Sequence, residues 1–125
     1  MRFVSVEEIK ATVDRFIEAW NTGNLALLDE TVSTDYVRHS PREDEDRHSL
    51  EELKQEVTRH RRDHPDLRLT LDDIVVEGNK VATRWHGTAT DKATNKQVTL
   101  WRVNIGRIAG GKIVEEWEAW SRRGS

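Results

Sequence analysis

The hydrophobic period of this chain changes once, near Leu67, and that change decides what each half can become. Before it, apolar residues recur at three- and four-residue spacing. After it, they alternate. From Ser5 the string SVEEIKATVDRFIEAWNTGN combines a capping residue, with Glu8 three places on, and a stripe of Ile9, Val13, Phe16, Ile17 and Trp20, which predicts a helix. Asn21-Thr22-Gly23-Asn24 stops it and opens a short second helix carrying Leu25, Leu27, Leu28 and Val32. Thr34 to His39 reads as a short extended piece ended by Ser40-Pro41. The nearly all-charged REDEDRH that follows is expected to be a solvated loop or a lid, and Ser49 with Glu52 opens a third helix through Leu50, Leu53, Val57 and His60 or Arg61, ended by His64-Pro65-Asp66.

Beyond Leu67, LRLTLDDIVVEGNKVATRWHG alternates on both sides of the turn Glu77-Gly78-Asn79-Lys80. Gln97 to Ala109 alternates again, with Thr99, Trp101, Val103 and Ile105 on one face and Leu100, Arg102 and Asn104 on the other. Gly110-Gly111 is a second hairpin turn before a last strand from Lys112 to Trp120. Four consecutive strands make an antiparallel meander whose apolar face needs cover, and only the helices can supply it. The expectation is one α+β domain over residues 1–125, its N-terminal helices packed on a curved antiparallel sheet.

Hydrophobic residues make up 35% and charged residues 34%, a balance that would leave an aperiodic chain unfolded. The periodicity and five Trp argue otherwise; Trp85, Trp101, Trp117 and Trp120 gather in the C-terminal third, where a pocket wall or subunit interface is expected. Twenty basic and 23 acidic residues are mixed along the chain, so no broad positive field exists for nucleic acid. Arg59-His60-Arg61-Arg62 sits where cations oppose a helix dipole. Without Cys there is no disulfide, thiol nucleophile or soft-metal site, and no metal is expected. The opening MRFVSVEEIK lacks a signal-peptide core and no stretch is long enough to span a bilayer, so no membrane partner and a cytoplasmic location are expected.

Three strings in order, FIEAWNTGNLALLDETVSTDYVRHSP, HPDLRLTLDDIVVEGNKVATRWHGT and RIAGGKIVEEWEAW, resemble the SnoaL-like polyketide cyclase (ester cyclase) branch of the nuclear-transport-factor-2-like superfamily. The resemblance implies a cone-shaped α+β barrel, cystatin-like in outline, around a deep apolar cavity, with members pairing as homodimers through the outer sheet face. It also implies a cofactor-free intramolecular aldol closure, with an Asp four residues after the closing-motif Trp as acid/base. Trp117 plus four is Ser121, whose hydroxyl needs a neighbouring base to take a proton. Thr88-Ala89-Thr90-Asp91 also lacks the His that often follows the Gly-Thr pair, and the next loop is shortened to KATNK.

His39 falls where the family places a His on a strand entering the cavity, either as a proton acceptor or as a group closing the helix–sheet seam. By the match to the closing motif, Glu115 rather than Glu116 is chosen as the inward carboxylate, a general base or an ion-pair partner of Arg84, Arg102 or Arg107; a bulge would change the parity. Arg102 and Asn104 line the pocket or the solvent side, Arg102 in the first case anchoring a carboxylate or oxyanion. Tyr36, Trp85 and Ser121 complete the lining, and Trp20, Trp117 and Trp120 are core residues or an aromatic wall for a guest. Two classes follow: a cofactor-free cyclase, isomerase or lyase acting on a small hydrophobic molecule through His39 and Glu115, or a non-catalytic binder or dimeric scaffold, favoured by Ser121.

Overall fold

The computed structural model describes residues 5–124; residues 1–4, part of the opening read as lacking a signal core, lie outside it. The element order is α1 (Val6–Thr22), α2 (Ala26–Thr31), β1 (Val32–His39), a 3-10 turn (Glu43–Glu45), α3 (Leu50–Asp63), β2 (Arg68–Glu77), β3 (Lys80–Asp91), β4 (Lys96–Ala109) and β5 (Lys112–Gly124). Both expected caps form. The Ser5 and Ser49 hydroxyls accept from the backbone N–H groups of Glu8 and Glu52, each at 3.1 Å. α1 ends at Gly23 in the left-handed region, φ 76°. α3 ends where Arg61 donates to the carbonyls of Leu67 (2.6 Å) and Pro65 (2.7 Å), so part of the basic run clasps the helix exit.

The meander β2–β5 is present, but the extended piece before Pro41 is a fifth strand. β1 lies at the sheet edge, parallel to β5, in the order β1-β5-β4-β3-β2. The sheet is therefore mixed, and it is curved and unclosed. The Gly110-Gly111 turn takes φ of 60° and 78°, the paired positive values a two-residue hairpin turn needs.

Apolar stripes from α1 (Ile9, Val13, Phe16, Trp20) and α3 (Leu50, Leu53, Val57) meet Val81, Trp85 and Ala89 of β3 and Ile113 of β5 in one core. The outer sheet face is uncovered: Trp101, Val103, Ile105 and Trp117 are exposed there. Among the described residues no helix is long and apolar enough to cross a membrane.

One irregularity positions everything polar inside. Arg107 pairs with Glu115 while Ile108 pairs with Ile113, so Val114 is an extra residue on β5. Ile113 points inward, and after the bulge the inward set is Glu116 and Glu118, with Glu115 and Trp117 outside.

Leu53 is fully buried beneath α3, so Leu53→Ala is expected to cost about 2–5 kcal/mol in urea denaturation. A loss below about 1 kcal/mol would mean that α3 is not packed on this core.

Candidate functional site

The interior of the sheet holds two connected polar groups. In the first, the Tyr36 hydroxyl donates to Glu116 Oε1 at 2.6 Å and Asn104 Nδ2 donates to Oε2 at 3.1 Å. Burial pushes the Glu116 carboxyl above its ordinary value of 4.5, against the bonds from Tyr36 and Asn104 that favour its anion. Burial, followed by the adjacent Glu116, holds the Tyr36 phenol well above 10.0.

In the second, Arg38 Nη1 stands 2.9 Å from Glu56 Oε1 and Arg38 Nε 3.4 Å from Glu118 Oε1. Arg47 reaches Glu56 at 3.1 Å, Arg102 reaches Glu118 at 3.0 Å, and the Ser40 hydroxyl donates to Glu118 at 3.0 Å. Burial raises the Glu56 pKa, but Arg38 and then Arg47 outweigh it and hold the carboxyl below 4.5.

The charged loop is part of this network. Arg47 exchanges backbone hydrogen bonds with Arg38 (2.8 and 3.1 Å), and the Glu45 carbonyl accepts from Arg38 Nη2 at 2.8 Å. Its outer residues, Arg42 to Asp44, are exposed as expected, whereas Arg47 turns inward because the buried Glu56 needs a second cation.

A cavity of about 170 Å³ opens beside this network, between the C-terminal ends of α1 and α3 and the sheet. Its walls include Trp20, His60, Leu67, Trp85, Leu100 and Arg102, with the Asp91–Arg122 ion pair at the edge. The Arg102 guanidinium lies 4.7 Å from the Trp85 ring centroid, and His60 meets Trp20 edge-on at 5.6 Å. Burial pushes the His60 imidazole below 6.5; Glu56 opposes the shift, while Arg59 and Arg102 add to it. A second void of about 20 Å³ lies beyond Trp85, against Asn104 and Glu116.

The sequence matches the SnoaL-like polyketide cyclase family over residues 10–124. The chain belongs to that family. A comparison with curated proteins finds no match. IdmH of Streptomyces antibioticus, a candidate polyketide cyclase, has 28% identity and a TM-score of 0.81, over 90% of this chain and 91% of that one. AclR of Streptomyces galilaeus, a candidate hydroxylase, has 30% identity and a TM-score of 0.79, over 95% of this chain and 82% of that one. An M. tuberculosis LEH-like epoxide hydrolase, at 14% identity and a TM-score of 0.77 over 92% of this chain and 84% of that one, shares the fold.

Within this SnoaL-like frame the expected residues separate. Trp20, Trp85 and Arg102 line the cavity, and Tyr36 and Asn104 lie deeper, on Glu116. Trp120 donates its indole N–H to Glu45 Oε2 at 3.1 Å and helps hold the loop. His39 and Glu115 do come together, at 2.7 Å, but outside the cavity: His39 stacks on Trp117 at 5.4 Å with its side chain 45% exposed. The expectation that both face inward is corrected by the Val114 bulge and by the pairing of β1 with β5, which puts Arg38 beside Glu116 and His39 beside Trp117. Trp117 and Ser121 are likewise on the outer face, Ser121 opposite Trp101 and exposed. The missing carboxylate at Ser121 therefore removes nothing from the interior.

Glu56, Glu118 and Arg38 escaped the sequence reading; Glu116 was passed over for Glu115, and His60 entered only as a helix-face and helix-end residue. The signal for two of them is spacing: Leu53, Glu56, Val57 and His60 lie along one side of α3, so both polar residues share the buried stripe.

The folded-state pKa of His60 lies below 6.5, so the unfolded chain binds more protons in acid. The stability this represents is complete above that value and falls as pH drops through it, with Glu56 adding a further loss below 4.5. Glu116, shifted upward, acts in the opposite sense. His60→Gln is expected to flatten the decline in urea-derived stability between about pH 7 and pH 5; an unchanged slope would mean that His60 titrates normally.

Proposed function

We propose that the chain binds a small, mainly apolar molecule in the cavity between Trp20 and Trp85 and moves a proton on it without a cofactor, in chemistry of the cyclase, isomerase or lyase type. The observation that carries this reading is the joint lining of the cavity by an imidazole pushed towards its neutral form and by a permanently charged guanidinium. A neutral His can accept a proton near pH 7, and a fixed cation beside it can stabilise the negative charge that develops on the guest. His60 is the base in this proposal. His39 and Glu115, on the outer face, lie outside it.

The size of the cavity limits the guest. An engineered apolar cavity of about 150 Å³ accepts benzene, so about 170 Å³ suits one ring, with any remainder projecting past Asp91 and Arg122. The family, and IdmH with its cyclase description, favour a carbonyl compound.

One observation favours a non-catalytic binder instead: the inward carboxylates are already engaged, Glu118 by Arg38 and Arg102 and Glu116 by Tyr36 and Asn104. Proton exchange separates the two. On the enzyme reading the protein accelerates exchange of the α-protons of 1-phenylpropan-2-one into D₂O, followed by NMR, and His60→Gln lowers that rate about 100-fold or more. Binding without acceleration over buffer would leave the binder.

The proposal includes a homodimer formed through the outer sheet face, supported by exposed Trp101 (39%), Val103 (52%), Ile105 (45%) and Trp117 (39%) on one surface. Sedimentation equilibrium is expected to give about twice 14.5 kDa, and Val103→Glu to give the monomer mass. A wild-type monomer would exclude this pairing.

A further inference from the structure

The polar network beside the cavity leaves one of its cations short of partners, and this bears on the guest. It joins three guanidinium groups, Arg38, Arg47 and Arg102, to two carboxylates, Glu56 and Glu118. Glu56 is shared by Arg38 and Arg47, and Glu118 by Arg38 and Arg102. Among the described residues no other carboxylate comes within ion-pair distance of these three cations. Glu116 accepts from the neutral Tyr36 and Asn104, and the cation that acts on it is Arg38, its neighbour across β1 and β5. Asp91 pairs with Arg122, and Glu45 with Arg42 and the Trp120 indole. His60 and His64, which also line the cavity, can only add positive charge.

The under-partnered cation is Arg102. Arg38 has a carboxylate on either side and Arg47 has Glu56 together with the carbonyls of Asp44 and Asp46. Arg102 has Glu118 alone, through Nη1, and its Nε and Nη2 donors have no acceptor among the described residues. Its side chain is only 13% exposed. Stacking against the Trp85 ring holds the guanidinium in the cavity wall, where water screens it poorly. A planar fork of unused donors on a fixed cation matches a carboxylate better than any neutral carbonyl.

We propose that the guest is a single-ring molecule bearing a free carboxylate, the ring between Trp20 and Trp85 and the carboxylate on Arg102. This rests on the reading of the cavity as a small-molecule site and names the chemistry it selects. A neutral ester or ketone of the same size would fill the apolar part and leave Arg102 unmatched.

The test is calorimetric titration of the intact protein at neutral pH with phenylacetate and with phenylacetamide, which has nearly the same shape and no charge. Phenylacetate is expected to bind at least about tenfold more tightly. Arg102→Gln should reduce phenylacetate to the level of the amide, and Arg102→Lys should restore part of the difference. In case removal of Arg102 disturbs the fold through Glu118, the wild-type Arg102 Nε–H resonance gives a second readout, expected to shift with phenylacetate and not with the amide. Equal affinities would overturn the carboxylate assignment while leaving the cavity reading intact. A preference for the acid that survives Arg102→Gln, or that leaves the Nε–H resonance unmoved, would also overturn it. Failure of both compounds to bind would overturn the cavity reading, and this inference with it.

Discussion

β5 carries one residue more than β4 can pair at Val114, and the polar interior depends on that mismatch. Alternation along a strand is strict, so a single extra residue exchanges every side chain beyond it between the two faces. With Ile113 anchored in the core, an unbroken strand would carry Glu115, Trp117 and Ala119 inside. The bulge instead sends Glu116 and Glu118 inward and leaves a Trp on the outer surface. Two acids then face the helices, and the rest of the interior polar chemistry is a response to them.

That response is extensive because an unpaired charge in the interior is costly, whereas a paired and hydrogen-bonded one is tolerable. Glu118 is met by Arg38 from β1 and Arg102 from β4; Arg38 is met in turn by Glu56 from α3, and Glu56 by Arg47 from the loop. Elements far apart in the sequence are thus fixed to one another by charge as well as by apolar contact. Removing one member of such a set strands its partners, which costs more than the intact pair contributes. The cavity is built at its edge, where Arg102 passes from Glu118 to the face of Trp85.

Much of the fold was legible because its signals are local. Ser5 with Glu8, Ser49 with Glu52, Gly23, Glu77-Gly78-Asn79-Lys80 and Gly110-Gly111 each act within a few residues, and the structure uses them all as caps or turns. The parallel pairing of β1 with β5 joins residues about eighty positions apart, and no local pattern announces it. The site was less legible for a related reason. Glu115 and Glu116 are the same residue type side by side, so only the bulge distinguishes them, and Val114 carries no Gly or Pro to mark it. The motif match to Glu115 selected the wrong face. Arg47 lies in a run whose composition reads as solvated, and its inward turn becomes understandable only once Glu56 is seen to be buried.

The most direct test of this account is an NMR titration of the side-chain carboxyl carbons of Glu115 and Glu116. With Glu116 buried beside Tyr36 and Asn104, its midpoint is predicted above the ordinary 4.5; Glu115, hydrogen-bonded by His39 and Arg107 on the outer face, is predicted below it. The reverse order would place Glu115 inside, remove the bulge from β5 and contradict the arrangement of the whole interior.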